Sequence, residues 1–143
     1  MTIARILAGR SSAAVHSASE DESVADVVKR LTELRIGAVP VIADGVVVGI
    51  FSERDVIHGL TNEGAAALTR TIGEVMTSPV IGIEPEASAL AALSLMTRRR
   101  IRHLPVIDGE RLVGFVSIGD LVKHRIETIE AEAAAMRDYI SGA

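Results

Sequence analysis

Two periodicities divide the chain. After Ser23, the apolar positions Val24, Val27, Val28, Leu31 and Leu34 fall at helical spacing, which predicts a helix N-capped by Ser23 and ended by Gly37. Valine- and isoleucine-rich runs then take over: Ile36–Ile42, an Asp44-Gly45 turn and Val46–Phe51 read as a hairpin. Pro40 has no N–H to give a ladder and is expected at an edge or a bulge. Ser52-Glu53-Arg54-Asp55 opens a helix expected to reach about Leu60, and Thr61-Asn62-Glu63-Gly64 reads as a linker. The same order recurs downstream. A short strand over Pro79–Ile83 matches one opened by Val15, and a helix from Ser88 to Arg100 follows. Strands Ile101–Ile107 and Leu112–Val116 flank Asp108-Gly109, and a last helix starts at Ile118. Thr2–Leu7 and Thr71–Met76 read as helical lead-ins, and four extra residues of the first unit fall in a small-residue loop within Ala8–Ala13. Along the last helix Val122, Ile126, Ile129, Ala133, Met136 and Ile140 form an a/d stripe. That stripe either packs on its own domain or takes a partner or a second copy.

The recurrence is an internal repeat. Pro40 and Pro105, Gly49 and Gly114, Ser52 and Ser117, and Asp55 and Asp120 are each 65 residues apart, with no gap needed. A unit of about fifty residues leaves much apolar surface in water, so two copies are expected to bury their faces together.

The proline-bearing strand, the strand end Gly-apolar-apolar-Ser and the following x-x-Asp, present twice in register, resemble a tandem pair of cystathionine-β-synthase (CBS) domains, a Bateman module. The resemblance spans roughly Ile3 to Val122. It implies an α/β (α+β) fold of two pseudo-symmetric βαββα-type repeats packed through their sheets, plus an extended C-terminal helix. The expected units are 1–64, 65–126 and a helical extension over 127–143.

Composition narrows the function. Hydrophobic residues make up 48% of 143, enough for a core, and no apolar run is long enough for a membrane span. The first residues lack the basic-then-apolar layout of a secretory signal, so a cytoplasmic location is expected. The absence of cysteine excludes disulfides and thiolate metal sites. A net charge of −4, with Phe51, Phe115 and Tyr139 as the aromatic residues, argues against nucleic acid as a partner. His16, His58 and His124 do not cluster with acids at metal spacing, and no metal is assigned.

The candidate chemistry sits at the two repeated helix starts. Ser52-x-x-Asp55 and Ser117-x-x-Asp120 have capping-box spacing, as does Ser23-x-x-Asp26. Ser23-x-x-Asp26 loses its acid in the second unit, where Ala91 stands, whereas the other pair keeps both residues. A carboxylate there can accept two hydrogen bonds from a vicinal diol, and the helix N-terminus beside it favours an anion. The resemblance implies that Ser52, Asp55, Ser117 and Asp120 line a cleft between the repeats and hold the ribose of an adenine nucleotide, with Gly119 in the same segment. Arg102 and His103, before Pro105, are candidates for phosphate. Gly37 and Ala38 occupy the corresponding positions of the first unit, with more room and less charge, so the two clefts are not equivalent. Arg54 is a further phosphate candidate, and the backbone of Val15-His16 and Val80-Ile81 matches the segment against which adenine lies in the family. Arg98–Arg100 read as a solvated helix end.

The expected function is therefore a regulatory module without catalytic activity. It would bind an adenosine-containing ligand (AMP, ATP, NAD(H) or S-adenosylmethionine), form a homodimer and act on a separate effector protein. The alternative is a ligand-free structural homodimer in which the Ser/Asp pairs only cap helices. Ser117, Asp120 and His103 are residue types familiar from hydrolysis, but no nucleophile elbow, Walker loop or zinc motif accompanies them.

Overall fold

The structure, a computed structural model, describes residues 1–9 and 15–142. Residues 10–13 of the expected small-residue loop lie outside the described residues. The elements are α1 (Ile3–Ala8), β1 (Ala18–Ser19), α2 (Val24–Leu34), β2 (Ala38–Ala43), β3 (Val46–Ser52), α3 (Glu53–Glu63), a 3₁₀ segment (Gly64–Thr69), α4 (Ile72–Val75), α5 (Ala89–Arg99), β4 (His103–Asp108), β5 (Arg111–Ser117) and α6 (Ile118–Ser141). The α/β architecture expected from the repeat is the one observed.

The first sheet runs β1-β2-β3 and the second β4-β5, with β2 and β3 antiparallel and β4 and β5 antiparallel. Both hairpins carry a register shift at the same place in the repeat, Val41/Ile42 and Val106/Ile107. Where β1 pairs in parallel with β2, the second repeat has a single parallel bridge, Ile83 to Val106. The strand expected over Pro79–Ile83 is thus reduced to one residue, and the one expected from Val15 starts at Ala18.

Pro40 sits in a central strand, yet removes no bond. The N–H and C=O of its cross-strand neighbour Ile50 both turn outward to Thr77, at 3.0 and 2.8 Å, so Pro40 and Ile50 form a non-hydrogen-bonded pair. The proline nitrogen points away from β3, beyond the two residues that β1 covers. Pro105 behaves likewise, its carbonyl accepting from the Ile83 N–H at 3.0 Å.

Helix ends differ from expectation in two places. Arg35, not Gly37, ends α2: it takes the left-handed conformation (φ 55°) and donates to the Leu31 and Thr32 carbonyls. Arg100 does the same after α5 (φ 54°). Thr61–Glu63, read as linker, complete the last turn of α3, and Gly64 turns the chain at φ 64°. The Asp44-Gly45 turn has positive φ at both residues, 50° and 78°, as a tight hairpin requires.

The lead-ins cross over between the repeats. Ile3 is buried in the core of the second repeat, with Ala92, Met96, Leu104, Val106, Val116 and Leu121, and its N–H donates to Ala87 O at 2.8 Å. Ile72 is buried in the first core among Val27, Leu31, Val39, Val41 and Phe51, its N–H donating to Glu22 O at 2.8 Å. The repeated glycines are the seats for this exchange. A Cβ on Gly49 would lie 2.6 Å from Met76 Sδ and 3.0 Å from Thr77 O, and one on Gly114 would lie 2.6 Å from Leu7 Cδ1. The two repeats therefore close each other's cores, and β3 meets β5 between them. Among the described residues, no helix is long and apolar enough to cross a membrane.

Candidate functional site

Strand alternation puts Phe51 into the core and turns Ser52 toward the seam between the repeats, at the point where β3 becomes α3. The second repeat does the same with Val116 and Ser117. Two clefts of about 360 Å³ each open along that seam.

The first cleft is walled by Ser52, Glu53 and Arg54 from the head of α3 and by Ile81, Ile101 and Arg102 from the second repeat. Ile50, Pro79 and Ile118 add an apolar floor, with Thr77 beside it. The second cleft carries Ser117 and Asp120 from the head of α6 with Val15, His16, Arg35 and Ile36 from the first repeat, closed by Phe115. Gly37, Ala38, His103 and Ser117 line both. Each cleft thus draws lining residues from both repeats, the first from both helix starts, which the order of the chain alone does not reveal. Arg102 faces Ser52 and Arg54, while Asp120 faces Val15, His16, Gly37 and Ala38. The clefts differ in charge, with two arginines and Glu53 in one, and Arg35, His16 and Asp120 in the other, but Gly37, Ala38 and His103, on which the expected inequivalence rested, line both.

The Ser/Asp pairs form capping boxes at both sites. Asp120 Oδ2 accepts from the Ser117 N–H at 2.8 Å, and Ser117 Oγ accepts from the Asp120 N–H at 3.1 Å. At the first site, Asp55 Oδ2 accepts from the Ser52 N–H at 2.8 Å and from its hydroxyl at 3.3 Å, while Oδ1 accepts from the Thr77 hydroxyl at 2.8 Å. Asp55 is thereby drawn toward its own helix and lies outside the lining of both clefts, as do Val80, Gly119 and Pro105, the last buried in the sheet. Glu53, Thr77, Pro79 and Arg35 are lining residues that sequence reasoning missed. Arg35 occupies the position equivalent to Arg100, which lines neither cleft, so the repeat gave no signal for it. The Asp55–Thr77 bond spans 22 residues and likewise had none.

His103 stands between the clefts. Its ring stacks on Phe115 with centroids 5.6 Å apart and planes 12° from parallel. Gly37 lies close by, where a Cβ would stand 3.3 Å from Glu53 Oε1 and in ordinary contact, 3.6 Å, with His103 Cε1. Burial first, and then the charge of Arg102, hold the imidazole below the usual histidine range against the opposing pull of Glu53 and Asp120. An unfolded chain therefore takes up this proton more readily than the folded one. The stabilisation is complete above the ordinary histidine pKa and is lost as the pH falls through it toward the lower folded value. Thermal melts at about pH 7.5 and about pH 5.5 should show a larger acid loss for the wild type than for His103→Gln. Equal losses would place the acid sensitivity elsewhere. Among the described residues, no three His, Asp or Glu side chains stand close enough to hold a metal ion.

Comparison with known proteins agrees with the repeat. The family model of the CBS domain matches twice, over residues 11–62 and 72–127. The chain is 35% identical over 127 residues to the mitochondrial CBS domain-containing protein CBSX3 of Arabidopsis thaliana, covering 85% of this chain and 62% of that protein. It is 30% identical over 120 residues to the CBS domain-containing protein YhcV of Bacillus subtilis, covering 84% of this chain and 85% of that one. The crystal structure of a CBS-domain containing protein from Agrobacterium tumefaciens superposes with a TM-score of 0.82 at 37% identity, covering 87% of this chain and 92% of the other. The CBS domain pair of protein MJ0100, crystallised with 5'-methylthioadenosine and S-adenosyl-L-methionine, superposes with a TM-score of 0.78 at 25% identity, covering 90% and 98%. The doubled family match, the crossed lead-ins and the two inter-repeat clefts establish that the chain belongs to the CBS-domain family and is a tandem CBS pair.

Proposed function

We propose that this CBS pair binds an adenosine-containing ligand at the seam between its repeats and passes that state to a separate effector protein. The observation that carries this reading is the first cleft, where two guanidinium groups and a helix N-terminus from different repeats converge beside an apolar floor. Arg54 and Arg102 offer planar donor sets for phosphate or carboxylate, and the N–H groups at the head of α3 add to them. Ile50, Pro79, Ile81, Ile101 and Ile118 suit the faces of a purine, and the Ser52 hydroxyl would serve the sugar. Glu53 sits among these cations, which favours a ligand that also presents a donor. In the second cleft the Asp120 carboxylate and the Val15-His16 backbone would take the diol and the base, with Arg35 as the cation. That a neighbour of the same fold was crystallised with methylthioadenosine and S-adenosylmethionine supports the ligand class. Because each cleft draws on both repeats, a bound ligand ties the halves together. Its regulatory effect must come from a difference in affinity between two arrangements of those halves.

Calorimetric titration with AMP, ATP, NAD and S-adenosylmethionine tests the reading. Saturable binding of at least one is expected. Arg102→Ala should weaken an anionic ligand by about tenfold to a hundredfold, the loss of one charge-assisted contact of roughly 1.5–3 kcal/mol. Asp120→Ala should weaken ligands that carry a ribose diol. A second reading, the ligand-free structural pair, is favoured by Asp55, whose two oxygens already accept from Ser52 and Thr77. No saturable heat with any of the four compounds would decide for it.

A further inference from the structure

The terminal helix α6 is 24 residues long and buries a single side chain, Leu121. Its apolar stripe lies open: Ile126 is 50% exposed, Ile129 49%, Met136 60% and Ile140 72%. Capping and propensity hold such a helix only weakly in water, and amphipathic helices gain most of their stability from packing. The bland alternative, a helix packed along its own domain, is not what the structure shows beyond Thr128.

The charges beside the stripe state which occupant fits. With Ile126, Ala133 and Ile140 at heptad position a and Val122, Ile129 and Met136 at d, the flanking e positions are Lys123, Glu130 and Arg137, and the g positions are Arg125, Glu132 and Tyr139. In a parallel, in-register pair, each g residue faces the e residue five positions later on the second helix. Arg125 then meets Glu130 of the second copy and Glu132 meets Arg137, so both g-to-e pairs in each direction are of opposite sign. An antiparallel pair that overlaps the whole stripe, with Ile126 beside Met136, brings Glu130 against Glu130, Glu132 against Glu132 and Lys123 against Arg137, all of like sign; sliding it by one heptad relieves those charges but leaves two of the six stripe residues of each helix without a partner. We infer that α6 forms a parallel two-stranded coiled coil with α6 of a second copy of this chain. Full overlap of the stripe supplies the attraction, and with the stripe fully overlapped the flanking charges choose the orientation. This does not depend on what the clefts bind.

The chain has no cysteine, so Ile140→Cys introduces a lone thiol at an a position. Mild oxidation of the full chain is expected to yield a disulfide-linked dimer. In the antiparallel arrangement the two thiols would stand about 27 Å apart, out of reach of each other. Sedimentation equilibrium gives the second arm. Glu130→Lys with Glu132→Lys makes every g-to-e pair like-charged and should weaken self-association at low salt by about tenfold or more. Mixing that variant with the Arg125→Glu, Arg137→Glu variant should restore association as a heterodimer. All four sites are exposed, and far-ultraviolet dichroism and thermal melting confirm that the CBS pair stays folded. A monomeric wild type, an uncrosslinked Ile140→Cys, or charge variants that associate as the wild type does would each overturn the inference.

Discussion

Phe51→Ala is expected to remove about 3–5 kcal/mol of stability, the usual loss when a large core aromatic is truncated. Phe51 is fully buried in the first core, opposite Val39 and against Val27, Leu31 and Ile72. Small domains have only about 5–15 kcal/mol to lose, so the melting temperature should fall by roughly 10 °C or more. The substitution also bears on function, because Phe51 is the residue that anchors β3 one position before Ser52 and the head of α3. Urea unfolding of the wild type, Phe51→Leu and Phe51→Ala checks this, with Phe51→Leu expected in between and the denaturant slope unchanged. A loss below about 1 kcal/mol for Phe51→Ala would mean that the site refills or that the ring is not at the centre of this core.

Ile3→Ala should cost about 2–5 kcal/mol, the usual loss when a fully buried isoleucine is truncated. Ile3 is tied down by complete burial and by the bond from its N–H to Ala87 O. Its test is where the damage appears. Hydrogen exchange should rise in α5, β4 and β5, whose core Ile3 completes, before it rises in α2 and β2. Ile72→Ala should reverse that order. If Ile3→Ala instead loosened the first repeat, the crossed arrangement of the lead-ins would be wrong. A chain whose halves close each other's cores transmits a change at the seam to both, which is the mechanical requirement of the regulatory role proposed here.

The repeat was legible in the chain because each of its marks is a local requirement. Ser23 and Ser88 cap helices, and Asp44-Gly45 supplies positive φ for a tight turn. Ser52 and Ser117 end strands and begin helices. The alternation of β3 and β5 shows which side chains face inward. These signals act over a few residues, and a periodic sequence states them directly. The a/d stripe of α6 was readable for the same reason.

Much of the site was not readable, since it depends on contacts between residues far apart in the chain. Gly49 and Gly114 were visible as marks of the repeat, but their purpose is steric and lies in Met76 and Leu7, brought in from the other repeat. The same motif, Ser-x-x-Asp, puts Asp120 in a cleft wall, whereas Asp55 lies outside both clefts with one oxygen on the Thr77 hydroxyl, a partner 22 residues away. Arg102 was visible as a phosphate candidate before Pro105, but which cleft it lines, the one it shares with Ser52 and Arg54, is set by packing of the two repeats. By itself the sequence determined the duplicated α/β units, their caps and turns, and the residue types at the seam. The tertiary structure alone decided which of those residues share a cleft, because side-chain period and capping chemistry are properties of short segments, whereas a cleft is made by surfaces that meet only when both cores close.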